Sequence, residues 1–412
     1  MATRSGSANT ETVAYEGVLP GTGGISELDE GCLLITGDGP CGYISEDAGR
    51  TWNAPFRYMQ EGKPLVGNPM KKGIIRLNTG DLGMVYTREV EIPYVASHGS
   101  RCSYFAASTD NARNWSTGVP LDIPTPYDSR KGVFQVLWGN LTQLSSGRLI
   151  APAYWGMAGR NPGLPPAGED PVTATIGGRV VKRVADGHTY EASMGGCFVY
   201  YSDNLGQSWC RCTGSVMVWP LPGESNEGGF GATHEPVVIE LKDGRVMMFV
   251  RTTVGRIFQT FSVDGGEHWS LAQPTALASG DVPCWLGRLR TTGDLLVAWN
   301  QSSTEEIQKG YSRGRLSVAL SRNEGESWES FRTLALSGGM ADIEQVELPP
   351  VKHVRAQPDL GELPHDYSRN DYPQLTFVQG QVVMKYGSTK FVNGGRVRRH
   401  KIKVVPEEWF YG

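Results

Sequence analysis

Glu235 and Arg251 lie at the two ends of a stretch of chain that reads as doubling back on itself. An apolar run follows Thr233-His234-Glu235-Pro236, reverses at Asp243-Gly244 and returns to Arg251. A third run then leads to Ser262-Val263-Asp264-Gly265-Gly266-Glu267-His268-Trp269. Turn residues at each reversal mark an antiparallel meander. The first strand of a meander begins where the second ends, so Glu235 and Arg251 share one edge and the Asp264 turn lies at the other. A carboxylate at such an edge can exchange protons, and a guanidinium can hold an anion through its planar fork.

Applied along the whole chain, the same rule gathers further chemistry-bearing residues at that edge. They are Asp38, Lys71, Arg88, Glu89, His98, Trp155, His234, Trp285, Asn300, Arg313, Arg315, Tyr372 and Lys385. His98, with Arg88 and Glu89 nearby, is an acid/base candidate because imidazole titrates near neutrality. Asp38 is a second acid candidate on an Asp-Gly turn. Arg313 and Arg315 alternate on one strand, so only one of them points inward. Lys71 can add a charge, though an ammonium clamps an anion less selectively than a guanidinium.

The elements that must position these residues announce themselves at the opposite edge. Ser, Asp or Asn, and Gly or Ala precede a tryptophan by seven, five and three positions at five places: Ser45 to Trp52, Ser108 to Trp115, Ser202 to Trp209, Ser262 to Trp269 and Ser321 to Trp328. Copies recur roughly every sixty residues, with one wider gap between the second and third, a period that signals a propeller. The Ser and Asp side chains bond the turn's own backbone, Gly supplies a positive φ, and the Trp ring fills the gap between neighbouring strands.

The box S-x-D-x-G-x-T-W, intact from Ser45 to Trp52, resembles the Asp box of the sialidase superfamily. That resemblance covers essentially the whole chain and implies an all-β fold, a six-bladed β-propeller of four-stranded antiparallel blades in one domain, residues 1–412. The expected blades span about 20–60, 66–120, 133–215, 233–275, 283–335 and 371–404, with an N-terminal strand at 12–18 closing the last blade. Residues 157–194 form a long insertion on the Glu235 edge, placed to act as a lid or pocket wall.

Composition fits such a fold and excludes other classes. Gly is abundant at 53 of 412 residues, helix-period runs are absent, and the net charge of -4 provides no basic stripe for nucleic acid. No apolar run is long enough to span a membrane, and residues 1–12 lack the apolar segment of a signal peptide. The expected setting is cytoplasmic, or secreted with a signal removed. Seven scattered cysteines read as buried thiols rather than a disulfide framework. No metal or cofactor is implied: the histidines lack paired spacing, and Glu224, Glu227, Asp342 and Glu344 read as solvated loop charge.

In sialidases a tyrosine paired with a glutamate is the nucleophile, an aspartate is the general acid/base, and three arginines clamp the substrate carboxylate. Tyrosine suits a reacting carbon that already bears a carboxylate, which would repel a carboxylate nucleophile. The resemblance implies Glu235 as the glutamate, Arg251 as one clamp arginine, Arg313 or Arg315 as another, and Tyr372 as the nucleophile, with Asp38 or His98 as the acid. The chain departs from the family where an Arg-Ile-Pro would open the first blade: Leu19-Pro20-Gly21-Thr22-Gly23-Gly24 contains no arginine, and the following loop is cut to Gly37-Asp38-Gly39-Pro40. Three functions follow. The first is a glycosidase of sialidase type acting on an acidic sugar. The second is a lyase on uronic-acid glycans, with His98 or Tyr372 as base. The third is a carbohydrate-binding propeller using Trp155, Trp285 and Trp299 as stacking platforms. Each has a carbohydrate partner.

Overall fold

The computed structural model describes residues 15–28, 31–90, 100–122, 125–126, 133–158, 173–176, 179–182, 193–218, 233–352, 354, 363–392 and 395–411. Among these the chain is an all-β propeller with almost no helix. One short α-helix, Thr304–Gln308, starts at Ser303 with a reciprocal capping box to Glu306. No helix among the described residues is long and apolar enough to cross a membrane.

Each large sheet is a meander whose first strand is innermost. His234–Glu240, Val246–Arg251, Arg256–Ser262 and Gln273–Ala278 form one; Trp285–Arg288, Leu295–Trp299, Arg315–Ser321 and Glu329–Leu336 form the next. In the last sheet Ser368–Val378, Gln381–Val392 and Gly395–Pro406 are joined by the N-terminal strand Tyr15–Val18, which pairs antiparallel with Gly395–Pro406. This tie closes the ring. Ile25–Glu27 packs between Asn68–Arg76 and Ser368–Val378, and Trp285–Arg288 packs between His234–Glu240 and Ser368–Val378.

The expectation of six four-stranded blades is corrected. The described strands form seven sheets of three or more strands, and two of these contain five strands. The unexpected sheet takes the end of the expected first blade, the gap after it and the box of the second. Met59–Gln60 and Lys63–Pro64 form a hairpin about Glu61 (φ 52°) and Gly62 (φ 74°), and Met59–Gln60 pairs in parallel with Asn114–Trp115 at the end of the second box. Two left-handed residues in succession match the twist of a tight hairpin, but Glu-Gly is a weak signal for it in sequence. A two-stranded ribbon, Thr173–Ile176 with Arg179–Lys182, lies within the 157–194 insertion, whose flanking strands pair as far as Ala158 opposite Ser193.

The boxes account for how the sheets pack. In the first, the Gly49 N–H donates to Ser45 Oγ at 2.8 Å, the Thr51 N–H donates to Asp47 Oδ1 at 2.8 Å, and Ala48 and Gly49 are both left-handed. A Cβ on Gly49 would press on Ile402 of the last sheet, one on Gly266 on Ile150, and one on Gly325 on Met247. Each of these box turns therefore seats against the preceding sheet. All seven cysteines are free, with Cys102, Cys197, Cys212 and Cys284 buried.

Candidate functional site

Glu235 and Tyr372 share an unusual backbone on two innermost strands, His234–Glu240 and Ser368–Val378. Each is left-handed, with φ of 47° and 55°, and each directly precedes a proline. The ladder breaks at both places, between His234 and Val237 and between Asp371 and Gln374. A bulge re-aims a side chain out of the alternating pleat, and where the ladder is already interrupted the N–H that a proline lacks costs no ladder bond. Holding a non-glycine residue in this region costs about 1–3 kcal/mol, so the surrounding contacts must select it.

Those contacts form a chain of hydrogen bonds. The Tyr372 hydroxyl donates to Glu235 Oε1 at 3.3 Å. The Arg251 Nη1 donates to Glu235 Oε2 at 2.6 Å, and its Nε donates to Asp281 Oδ1 at 2.6 Å. Glu235 and Arg251 are 5% and 3% exposed, and Tyr372 is half-buried. Burial first and then the Glu235 charge push the Tyr372 phenol up, and the opposing pull of Arg313 and Arg251 does not cancel them. The tyrosine therefore rests neutral beside a carboxylate placed to accept its proton. For Arg251, Asp281 and Glu235 outweigh the effect of burial and hold the guanidinium charged.

A second network covers the other side of the ring. The Arg313 guanidinium lies 5.2 Å and that of Arg398 6.0 Å from the Tyr372 ring centroid. Arg313 donates to Asp371 Oδ2 at 3.0 Å, and Arg398 to Asp371 Oδ1 at 2.6 Å. Burial alone would raise the Asp371 carboxyl; Arg313 and Arg398 overcome it and hold the group below its ordinary range. Trp138 meets the Tyr372 ring edge-on at 5.6 Å. Lys72, which donates to the Cys284 carbonyl at 3.2 Å, lines a small cavity together with Tyr372 and Trp138. Burial pushes its ammonium down to about 7, against the opposing pull of Cys284 and Glu235.

The structure thus brings Glu235, Arg251, Tyr372 and Arg313 together. Other candidates have partners outside this network. Arg315, 0% exposed, gives its fork to Glu306 at 2.8 and 2.9 Å and to the Ala341 carbonyl at 2.7 Å. Asp38 is exposed and accepts from the Thr22 hydroxyl; Lys385 donates to the Thr22 carbonyl at 2.7 Å and to that of Gly23. Arg88 lies 4.2 Å from the Tyr104 ring centroid, and Trp155 donates to Ser215 Oγ at 2.9 Å. Trp299 is fully buried, its Nε1 bonded to the Ala278 carbonyl, and Trp285 is buried against Phe377. Neither ring can serve as an open stacking platform. His98 and the Lys71 side chain lie outside the described residues, as do Glu224 and Glu227.

Asp281, Asp371, Arg398, Lys72 and Trp138 were not singled out from the sequence. Asp371 immediately precedes Tyr372, and Arg396 and Arg398 alternate onto one face of the final strand. That alternation was the available signal.

Residues 99–384 match the family described as BNR repeat-like domain. No curated protein matches the chain. Among solved structures, a protein of unknown function from Dyadobacter fermentans superposes with a TM-score of 0.57 at 14% identity, covering 96% of this chain and 98% of that one. The NanB sialidase of Streptococcus pneumoniae gives 0.54 at 12% identity over 98% and 70%. The Trypanosoma rangeli sialidase, captured with 2,3-difluorosialic acid as a covalent intermediate, gives 0.52 at 13% identity over 94% and 54%. The chain thus spans about half the length of the trypanosomal protein. At these identities the likeness is one of fold.

Proposed function

The chain belongs to the BNR repeat-like domain family, and from that premise we propose that it is a sialidase-like glycoside hydrolase releasing a terminal acidic sugar. The observation that carries this reading is the Tyr372 hydroxyl donating to Glu235 Oε1 at 3.3 Å, with the other Glu235 oxygen held by Arg251. In the reaction the phenol oxygen attacks the anomeric carbon while its proton passes to Glu235. A covalent glycosyl-tyrosine forms, and the leaving-group oxygen takes a proton from a general acid, the role proposed for Asp38 or His98. Water then attacks the same carbon, giving its proton to the group that acted as acid in the first half, while Glu235 returns the first proton to the departing phenol oxygen, and the sugar is released with retained configuration. Arg313, at the Tyr372 ring, offers the substrate carboxylate a fork.

A neutral nucleophile is the physical reason for a tyrosine here. An anionic one would meet the substrate's own carboxylate, and the raised Tyr372 pKa keeps the phenol uncharged until Glu235 takes its proton. The reading is tested by incubating the protein with 2,3-difluorosialic acid and mapping adducts by peptide mass spectrometry. A sugar adduct on the peptide carrying Tyr372 is expected. An adduct on another residue, or steady release of sialic acid from an aryl sialoside by a Tyr372→Phe variant, would overturn it.

A further inference from the structure

Against Tyr372 lies a cavity of about 210 Å³ walled also by Arg313, Arg369, Arg396, Arg398, Asp371 and Thr389. At roughly 30 Å³ per water it has room for a hydrated anion or part of a sugar ring. The charge lining it is unbalanced: four guanidiniums meet one carboxylate, for a net +3.

The sheet register shows how this charge is assembled. Arg369 sits directly opposite Thr389, and Thr389 directly opposite Arg398, so two arginines flank one hydroxyl in a single row across three strands. Asp371 lies two residues along from Arg369 and Arg396 two along from Arg398, so alternation keeps all four on the same face. Arg313 reaches in from the neighbouring sheet. Gly387 leaves the space that admits Arg398, since a Cβ there would stand 2.6 Å from the Arg398 Cζ. Asp371 is already shared between Arg313 and Arg398.

We propose that this cavity binds a tetrahedral oxyanion, a sulfate or phosphate ester carried by the substrate. Four guanidiniums against one carboxylate in the lining suit a doubly charged oxyanion better than a singly charged carboxylate, and each fork can bond two of its oxygens. The cavity shares Tyr372 with the proposed catalytic pair, so the preferred sugar carries this group in addition to any carboxylate at its reacting carbon. The placement on the substrate rests on the glycosidase reading; the oxyanion site itself does not.

The experiment therefore measures binding without turnover. Inorganic sulfate, inorganic phosphate and formate are titrated by calorimetry into the wild-type protein and into Arg396→Ala and Arg369→Ala variants. Sulfate or phosphate is expected to bind at least about tenfold more tightly than formate, and each substitution to weaken the oxyanion by about tenfold. Glucose 6-sulfate and glucose 6-phosphate, titrated against glucose, then distinguish the two esters. Ligand-free melting temperatures within a few degrees of wild type show that the variants fold, and Arg396→Lys, which keeps the charge but not the fork, is expected to recover part of the affinity. Equal binding of formate and the oxyanions, or wild-type affinity in both alanine variants, overturns the proposal. Loss of oxyanion binding in the variants alongside absent sugar release would support this site and count against the glycosidase reading alone.

Discussion

The Arg251 guanidinium bridges two carboxylates, Glu235 at 2.6 Å through Nη1 and Asp281 at 2.6 Å through Nε. Glu235 in turn is the acceptor for Tyr372, so Arg251 sets the position of the group that would take the nucleophile's proton. Removing it leaves a buried carboxylate without its cation. Arg251→Met is expected to destabilise the fold by about 3–5 kcal/mol, read as a lowered urea midpoint. Glu235→Gln combined with Arg251→Met is expected to recover part of that loss, because the uncompensated charge is gone. An Arg251→Met protein as stable as wild type would show that the pair is not holding the bulge.

Tyr372→Phe separates chemistry from architecture. The substitution keeps the ring against Trp138, Arg313 and Arg398 and removes only the hydroxyl. A single hydrogen bond of this kind contributes about 0.5–1.5 kcal/mol, so the unfolding midpoint should shift little. Loss of the nucleophile should lower sugar release by about a thousandfold or more. Parallel urea titrations and initial rates on an aryl sialoside check both halves. A large stability loss with a proportionate rate loss would mean that Tyr372 is chiefly a packing residue.

Gly387→Ala tests how Arg398 reaches Asp371. The added methyl would occupy the space of the Arg398 guanidinium and lie 3.0 Å from Asp371 Oδ1. The flexible arginine is expected to swing out rather than the sheet break. Losing a hydrogen bond to a charged group costs about 1.5–3 kcal/mol. Arg398 also helps hold the Asp371 carboxyl below its ordinary range, so the folded-state pKa should rise in the variant, and the stability lost on acidification below the ordinary value of 3.8 should be smaller than in wild type. Urea midpoints of wild type and variant between pH 7 and 3 check this; superimposable curves would contradict it.

Much of this arrangement could be read before any coordinates, and what escaped has physical causes. The boxes are local: the Ser45–Gly49 and Asp47–Thr51 bonds close within a few residues, so spacing alone reveals them. Glu235, Arg251 and Arg313 were visible because each lies near a strand end, and the meander rule assigns those ends to one edge; Tyr372, expected to open its strand, instead sits within Ser368–Val378 at a bulge. Register is another matter. Which of Arg313 and Arg315 faces the ring depends on Glu306, on a short helix, which captures Arg315. Arg398 reaches Asp371 through pairing within a long hairpin, from 27 positions away. The sheet count departed from six because a Glu-Gly turn closed a hairpin that the usual Asn-Gly and Asp-Gly signals do not mark.

The box aspartates give an acid dependence whose sign is fixed by their environment. Asp264 accepts from the Ser262 hydroxyl, from the His268 ring and from two backbone N–H groups. Burial acts to raise its carboxyl, but the backbone and side-chain hydrogen bonds together bring it to about 2. A carboxyl depressed in the folded state stabilises the fold above its ordinary value near 3.8, and that contribution is lost as pH falls from about 4 towards about 2. Two other boxes already carry a neutral replacement: Asn204 and Asn323 accept from the Ser208 and Ser327 N–H groups at 2.9 Å. Asp264→Asn should therefore keep the turn and remove its share of the acid sensitivity. Thermal unfolding between pH 5 and 2 is expected to give a shallower fall for the variant than for wild type. Curves of equal slope would assign the acid response to other groups.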